Sequence, residues 1–205
     1  PWSAELNTPE FTFECWAKVT GGTSYRSPMT SRGDGPQEGY IFYATPGNTW
    51  QFWTGPGWNN IGGATVENDV WVYLAGTYDG TTKRFFVNGE EVSSTETAFT
   101  PNDADVLRIG GGATEGDGNY FFEGVIDEPA VYDKALSAAR ILTHYLAAVP
   151  ADAPEIDIAL DGGDVVLTWD GAAVLQETDD VVGTWEDMTD AYSPYRVTPS
   201  AAQKY

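Results

Sequence analysis

A chain of 205 residues with 41% hydrophobic content carries enough apolar mass for one β-rich domain of ordinary size and a smaller companion unit. Thirty-one acidic against ten basic side chains give a net charge of −21, a surface that repels phosphate backbones and argues against a nucleic-acid partner. No apolar run reaches the length of a membrane span, so no membrane insertion is expected, and with Cys15 as the only cysteine no intrachain disulfide can form.

Twenty-three glycines, twelve prolines and 28 aromatic residues predict many short strands joined by tight turns. In "EFTFECWAKV" the side chains of Phe11, Phe13, Cys15, Ala17 and Val19 share one face, while Thr12, Glu14, Trp16 and Lys18 share the other. Cys15 therefore reads as a buried, inert thiol. The strands "GYIFYAT" and "TWQFWTG" follow around the turn "PGN". "VWVYLAGTYDG" is apolar on both faces and predicts a central strand. In "KRFFVNGEEV" the pair Asn88-Gly89 is a two-residue hairpin signal. "VLRIGG", the loop "GATEGDGN" and "YFFEGVIDEPAVY" complete an expected antiparallel meander with no βαβ rhythm.

One helix is expected next. Ser137 is a good N-cap, Leu136 and Ile141 fit a hydrophobic staple, and Ile141, Leu142, Tyr145, Leu146 and Val149 trace an apolar stripe suited to packing outside a sandwich. The boundaries this implies are a first domain over 1–149, a linker over 150–154 and a small β-rich domain over 155–205. Some 50 residues are marginal for an independent core.

"FTFECWAKV", "WVYLAGTYDGTTKRFFVNGEEV", "LRIGGG" and "FFEGVIDEPAVYDKALS" together resemble the successive signatures of LamG-like jelly-roll domains, over residues 1 to about 147. That resemblance implies an all-β, antiparallel jelly-roll sandwich of the concanavalin A-like lectin/glucanase superfamily, with one short helix. It also implies a secreted or cell-surface setting. Residues 155–205 more weakly resemble small β-domains at the ends of secreted bacterial proteins. Family members usually begin with a further strand and a Gly/Asp-rich turn ahead of the position of Pro1. The start "PWSAEL" is thus expected to be a processed or excised part of something longer, or an edge completed by a neighbouring chain.

Several residue groups are candidates for function. Asp127 and Glu128 follow the apolar pair Val125-Ile126, where burial would make charge expensive. They lie either at an exposed strand end or beside a cation. The resemblance implies a structural calcium near Asp127, an ion that takes six to eight oxygen ligands at about 2.3–2.6 Å. Glu115, Asp117 and Asn119 alternate in a nearby loop, which reads as a solvated hairpin tip.

In "YIFYATPGNTWQFWTGPGWNN" both strand faces carry rings, more than one core requires. Trp53, Trp58 and Tyr43 are candidates to stack on the C–H faces of a sugar, with Asn59 bonding its hydroxyls. Arg32-Gly33-Asp34 spells an adhesion tripeptide but reads as a turn. His144, the only histidine, suits helix packing.

The segment "EIDIALD" echoes a glucanase strand motif through Glu155 and Asp157. Ala159 or Leu160 stands where the acid/base carboxylate belongs, and retaining hydrolysis needs that second carboxyl about 5–5.5 Å away. No enzyme activity is expected. The function expected is a non-catalytic secreted module that binds polysaccharide or another glycan. The alternative is a structural or adhesive subunit of an extracellular assembly, completed by strand exchange with neighbouring protein subunits.

Overall fold

The computed structural model describes residues 2–111, 119–148, 156–169, 174–178, 184–188 and 190–199. Expectations for Pro1, Glu115, Asp117, Val149, the 150–154 linker and Glu155 lie outside them. The chain divides into two compact units, Pro1–Ala148 and Val149–Tyr205.

The first unit contains β1 (Phe11–Val19), β2 (Met29–Asp34), β3 (Gln37–Ala44), β4 (Thr49–Thr54), β5 (Asn59–Thr65), β6 (Trp71–Tyr78), β7 (Thr82–Val87), β8 (Glu90–Glu96), β9 (Arg108–Ile109) and β10 (Gly124–Tyr132). They build two five-stranded antiparallel sheets, in the orders β10-β1-β6-β7-β8 and β5-β4-β3-β2-β9. The expected meander survives within β2–β5 and within β6–β8. It fails where β1 pairs with both β6 and β10, because the chain must cross between sheets to stack them.

Strand alternation fills the space between the sheets. Phe11, Phe13, Cys15, Ala17 and Val19 from β1 meet Tyr40 and Phe42 of β3 and Trp50 and Phe52 of β4 in one buried cluster. Phe13 stacks on Phe42 with centroids 3.9 Å apart. Cys15 is enclosed there, and burial raises its thiol far above the ordinary range, with the Glu14 carboxylate adding to the shift.

The outer face of the first sheet is closed by α1 (Ala138–Ala148). Ser137 Oγ accepts from the Arg140 amide at 3.3 Å, and Leu136 and Ile141 both pack with Tyr73, Ala75 and Phe86, as cap and staple require. Glu14 emerges from β1 beneath this helix. Its carboxylate accepts from Tyr73 Oη at 2.6 Å, Tyr132 Oη at 3.0 Å and His144 Nδ1 at 2.9 Å. The single histidine is therefore a helix-docking group. The Asn88-Gly89 turn has φ of 51° and 82° and lies under Leu142 and Tyr145.

The two acids of β10 sit in a β-bulge. Pairing with β1 shifts between Glu14 and Trp16, and Glu128 takes a left-handed φ of 48°. The extra residue lets Ile126 and Val131, five positions apart, both pack against the core, while Asp127 and Glu128 stay exposed on an edge strand. Asp127 Oδ1 accepts from the Glu128 amide at 2.9 Å and caps the bulge. Arg32-Gly33-Asp34 is a strand end, not the turn expected, and its arginine side chain is fully buried.

The second unit holds β11 (Ile156–Asp161), β12 (Asp164–Trp169), β13 (Gln176–Glu177), β14 (Glu186–Asp187) and β15 (Tyr195–Val197). β11-β12-β15 form one sheet and β13-β14 a separate pair. Gly162 and Gly163, at φ of 63° and 95°, make the two-residue turn between β11 and β12. Asp157 is exposed on β11, with Ala159 two residues along the same face.

One core residue is anomalous. Lys83 extends from β7 across the sandwich, where its fully buried ammonium group donates to Thr54 Oγ1 at 3.2 Å and to the Asn59 carbonyl. Burial pulls its pKa down to about 7 from 10.5. Below pH 7 folded and unfolded chains both carry this charge, and the folded state bears the full desolvation penalty. Between about 7 and 10.5 the unfolded chain holds the extra proton, so this group makes stability rise with pH and then level off. The melting temperature is expected to climb from pH 7 to about 8, below the values of about 8.5 and 10 at which unfolded cysteine and tyrosine are half ionised. Lys83→Met should flatten that rise, and an unaltered slope in the variant would show that Lys83 is not its source.

Candidate functional site

The second sheet has rings on both faces because β3 and β4 alternate without interruption. Tyr40, Phe42, Trp50 and Phe52 point inward, so Ile41, Tyr43 and Trp53 must point outward. Register places Ile41 opposite Trp53 and Tyr43 opposite Gln51, which makes the outward residues neighbours. They form a second buried cluster, joined by Tyr120.

Arg32 closes this cluster. It pairs with Gly39 and so lies on the same outward face of β2. Its guanidinium carbon is 4.6 Å from the Trp53 ring centroid and 5.9 Å from that of Trp58. Nη1 donates to Tyr43 Oη at 2.7 Å, and Nη2 donates to Asp34 Oδ1 at 2.5 Å. A guanidinium stays charged when buried, so it requires acceptors and ring faces close by. Here β2, β3, β4 and the β4–β5 loop supply them.

That loop, residues 55–58, folds back over the sheet. A Cβ on Gly55 would lie 2.4 Å from Glu38 Cα, so only glycine permits the approach, and Gly57 adopts a φ of +73°. Trp53 Nε1 donates to Gly57 O at 2.9 Å, and Asn59 Nδ2 donates to Pro56 O at 2.5 Å. The indole of Trp58 is thereby held near Arg32 while remaining 73% exposed.

The residues predicted from sequence fare differently. Trp53, Trp58 and Tyr43 do converge, all within reach of Arg32. Trp53 is fully buried and Tyr43 nearly so, which makes them the floor of the face instead of stacking surfaces. Asn59 pairs with Thr54, whose hydroxyl meets the core residue Lys83, so alternation turns Asn59 inward. The amide on the outward face beside Trp53 is that of Asn60, one residue later.

Arg32 entered the sequence reading only within a tripeptide read as a turn, and Tyr25 and Tyr120 were not singled out. Tyr25 packs edge-on against Tyr43 and Tyr120, with centroids 5.3 and 5.9 Å away. A lone tyrosine in "GGTSYRS" has no periodic signal. Arg108 pairs with Thr30 and adds a second guanidinium to this outward face.

Asp127 already caps its own bulge, and no group of three or more metal-ligating side chains occurs among the described residues.

The Laminin_G_3 family model, described as the concanavalin A-like lectin/glucanases superfamily, matches residues 2–142. Among curated proteins none matches. Similar solved structures include the CBM40 of the Ruminococcus gnavus IT-sialidase bound to alpha2,3 sialyllactose, at 20% identity and TM-score 0.60, covering 69% of this chain and 85% of that one. A Bacteroides ovatus ATCC 8483 protein, provisionally named as carbohydrate binding, aligns at 20% identity and TM-score 0.59, covering 82% of this chain and 51% of its own. The native heptameric SAP-like pentraxin of Limulus polyphemus aligns at 16% identity and TM-score 0.55, covering 68% and 71%. At these identities the likeness is one of fold.

Two predictions follow from the geometry. Arg32→Met should destabilise the domain by roughly 2 kcal/mol through its lost charge-assisted bonds and should alter the emission of Trp53 and Trp58, as followed by denaturant titration with fluorescence. Asp127→Ala should lower stability by about 1 kcal/mol, equally in calcium and in EDTA, because the bond lost is to an amide. A loss seen only in calcium would make Asp127 a metal ligand.

Proposed function

The chain belongs to the concanavalin A-like lectin/glucanase superfamily, and from that premise we propose that it is a non-catalytic extracellular module that binds a glycan on the outer face of the β5-β4-β3-β2-β9 sheet. The observation that carries this reading is Trp58. Leaving an indole in water forgoes its burial energy, and this one is held by a buried guanidinium and a glycine-rich loop. A fixed, exposed indole presents a flat apolar surface that matches the C–H face of a pyranose. Asn60 on the same face can bond sugar hydroxyls through its amide. The likeness to a carbohydrate-binding module of a sialidase supports this reading.

The non-catalytic half of the proposal rests on the engaged state of the candidate groups. His144 is committed to Glu14 under α1, and Cys15 is sealed in the core. Asp157 has no second acid at the motif position on its strand. None of the groups that the sequence offered as candidates brings a general acid or nucleophile to the ligand face, which suits binding without cleavage.

The wild-type chain should be retarded in native gels cast with its polysaccharide, and that sugar should shift its tryptophan emission. Trp58→Ala should weaken retention about tenfold, the loss of about 1.4 kcal/mol of stacking, with the melting temperature nearly unchanged. Full retention by the variant would remove Trp58 from the site.

A further inference from the structure

A cleft of about 310 Å³ opens between the segment Gly22–Arg26 and residues Asn119–Phe121, with Glu123 on its rim. That volume suits one sugar ring, at the small end of ligand sites. Its walls are zipped together by main-chain bonds, from Ser27 N to Tyr120 O at 2.8 Å and from Thr20 N to Glu123 O at 2.8 Å. The cleft is therefore shaped before any ligand arrives.

Two exposed rings flank it. Tyr25 is 41% exposed and Phe121 62% exposed. Phe121 rests on Gly111, where a Cβ would come within 2.8 Å of the ring, so its position is set by a missing side chain. Thr23, Ser24 and Asn119 supply hydroxyls and an amide. Rings set beside small hydrogen-bonding groups are the chemistry that recognises a carbohydrate.

Charge narrows the ligand. Arg26 is the cation of the cleft, but Nη1 is used on Gly21 O and Gly22 O at 2.8 and 2.7 Å, and Nη2 on Thr45 O and Asn48 Oδ1, both at 3.1 Å. Glu123 lies against Gly22, whose Cβ would come within 2.8 Å of Arg26 and 3.2 Å of the carboxylate. The two formal charges offset each other, and the chain at −21 repels polyanions. Among the described residues that line the cleft, a carboxylated sugar finds no cation besides Arg26.

Packed side chains link the cleft to the Trp58 face. Trp58 lies 5.9 Å from Arg32, Arg32 bonds Tyr43, and Tyr43 lies 5.3 Å from Tyr25. We propose that the cleft is a second subsite for an uncharged pyranose, so that the ligand is a linear neutral polysaccharide spanning the sheet from Trp58 to Tyr25 and Phe121. This extension rests on the glycan-binding reading above.

Affinity electrophoresis of the full chain in gels of xylan, glucomannan, mixed-linkage β-glucan and polygalacturonate tests it. Retardation is expected in a neutral gel. Phe121→Ala and Tyr25→Ala should each weaken it at least threefold, and Trp58→Ala about tenfold, with melting measured for every variant. Tyr25 also packs against Tyr43, so the change at the more exposed Phe121 is the decisive one if Tyr25→Ala melts low. Retention lost with Trp58→Ala but intact in Phe121→Ala would overturn the second subsite and leave the first. Stronger retention in polygalacturonate would overturn the uncharged assignment. No retention of the wild type in any gel would overturn both readings.

Discussion

The guanidinium of Arg32 lies buried on the outside of a sheet, where a permanent charge persists only with acceptors and ring faces gathered around it. Tyr43 and Asp34 accept from its two terminal nitrogens, and Trp53 and Trp58 bring ring faces, from β3, β2, β4 and the loop after β4. That single requirement draws four separate stretches of chain onto one patch. It also explains how a strand face that would otherwise leave Trp53 and Tyr43 in water becomes a closed platform, with one indole standing proud of it.

The two outer faces of the sandwich have opposite fates. On the first sheet α1 covers Trp16, Tyr73 and Phe86, and the Glu14 carboxylate, with three donors around it, pins the helix there. The second sheet has no such helix among the described residues, and its rings meet solvent through Trp58 and Tyr25. Recognition is proposed for the face that packing left open. Some of the acids that make the chain so negative lie along strand edges, with Glu90, Glu91 and Glu96 on β8 and Asp127 and Glu128 at the β10 bulge. Charge on an edge discourages pairing with a stray strand.

Much of the sandwich was legible because its signals are local. The alternation of β1, the Asn88-Gly89 turn, and the cap and staple around Ser137 each depend on residues a few positions apart. Trp58 was legible for a similar reason, since an indole between glycine and asparagine has no apolar row to join. Arg32 was not, because "SRGDG" looks like a turn and the groups that bury it come from residues 43, 53 and 58. The choice between Asn59 and Asn60 depended on pairing register, and a shift of one residue exchanges the two faces. The acids at 127 and 128 could not be placed by strict alternation. A bulge reverses the parity of a strand, and no periodic pattern announces it.

By itself the sequence determined the class of fold, the identity of the core rows, the site of the helix and the excess of rings over what one core needs. These follow from periodicities of two and 3.6 residues that a chain cannot hide. Tertiary structure alone decided which rings are floor and which are surface, because burial depends on residues distant in sequence arriving at the same place. It likewise decided that Arg32 serves as a buried clasp and that Tyr25 meets Tyr43, contacts that exist only once two strands and a loop have taken their register.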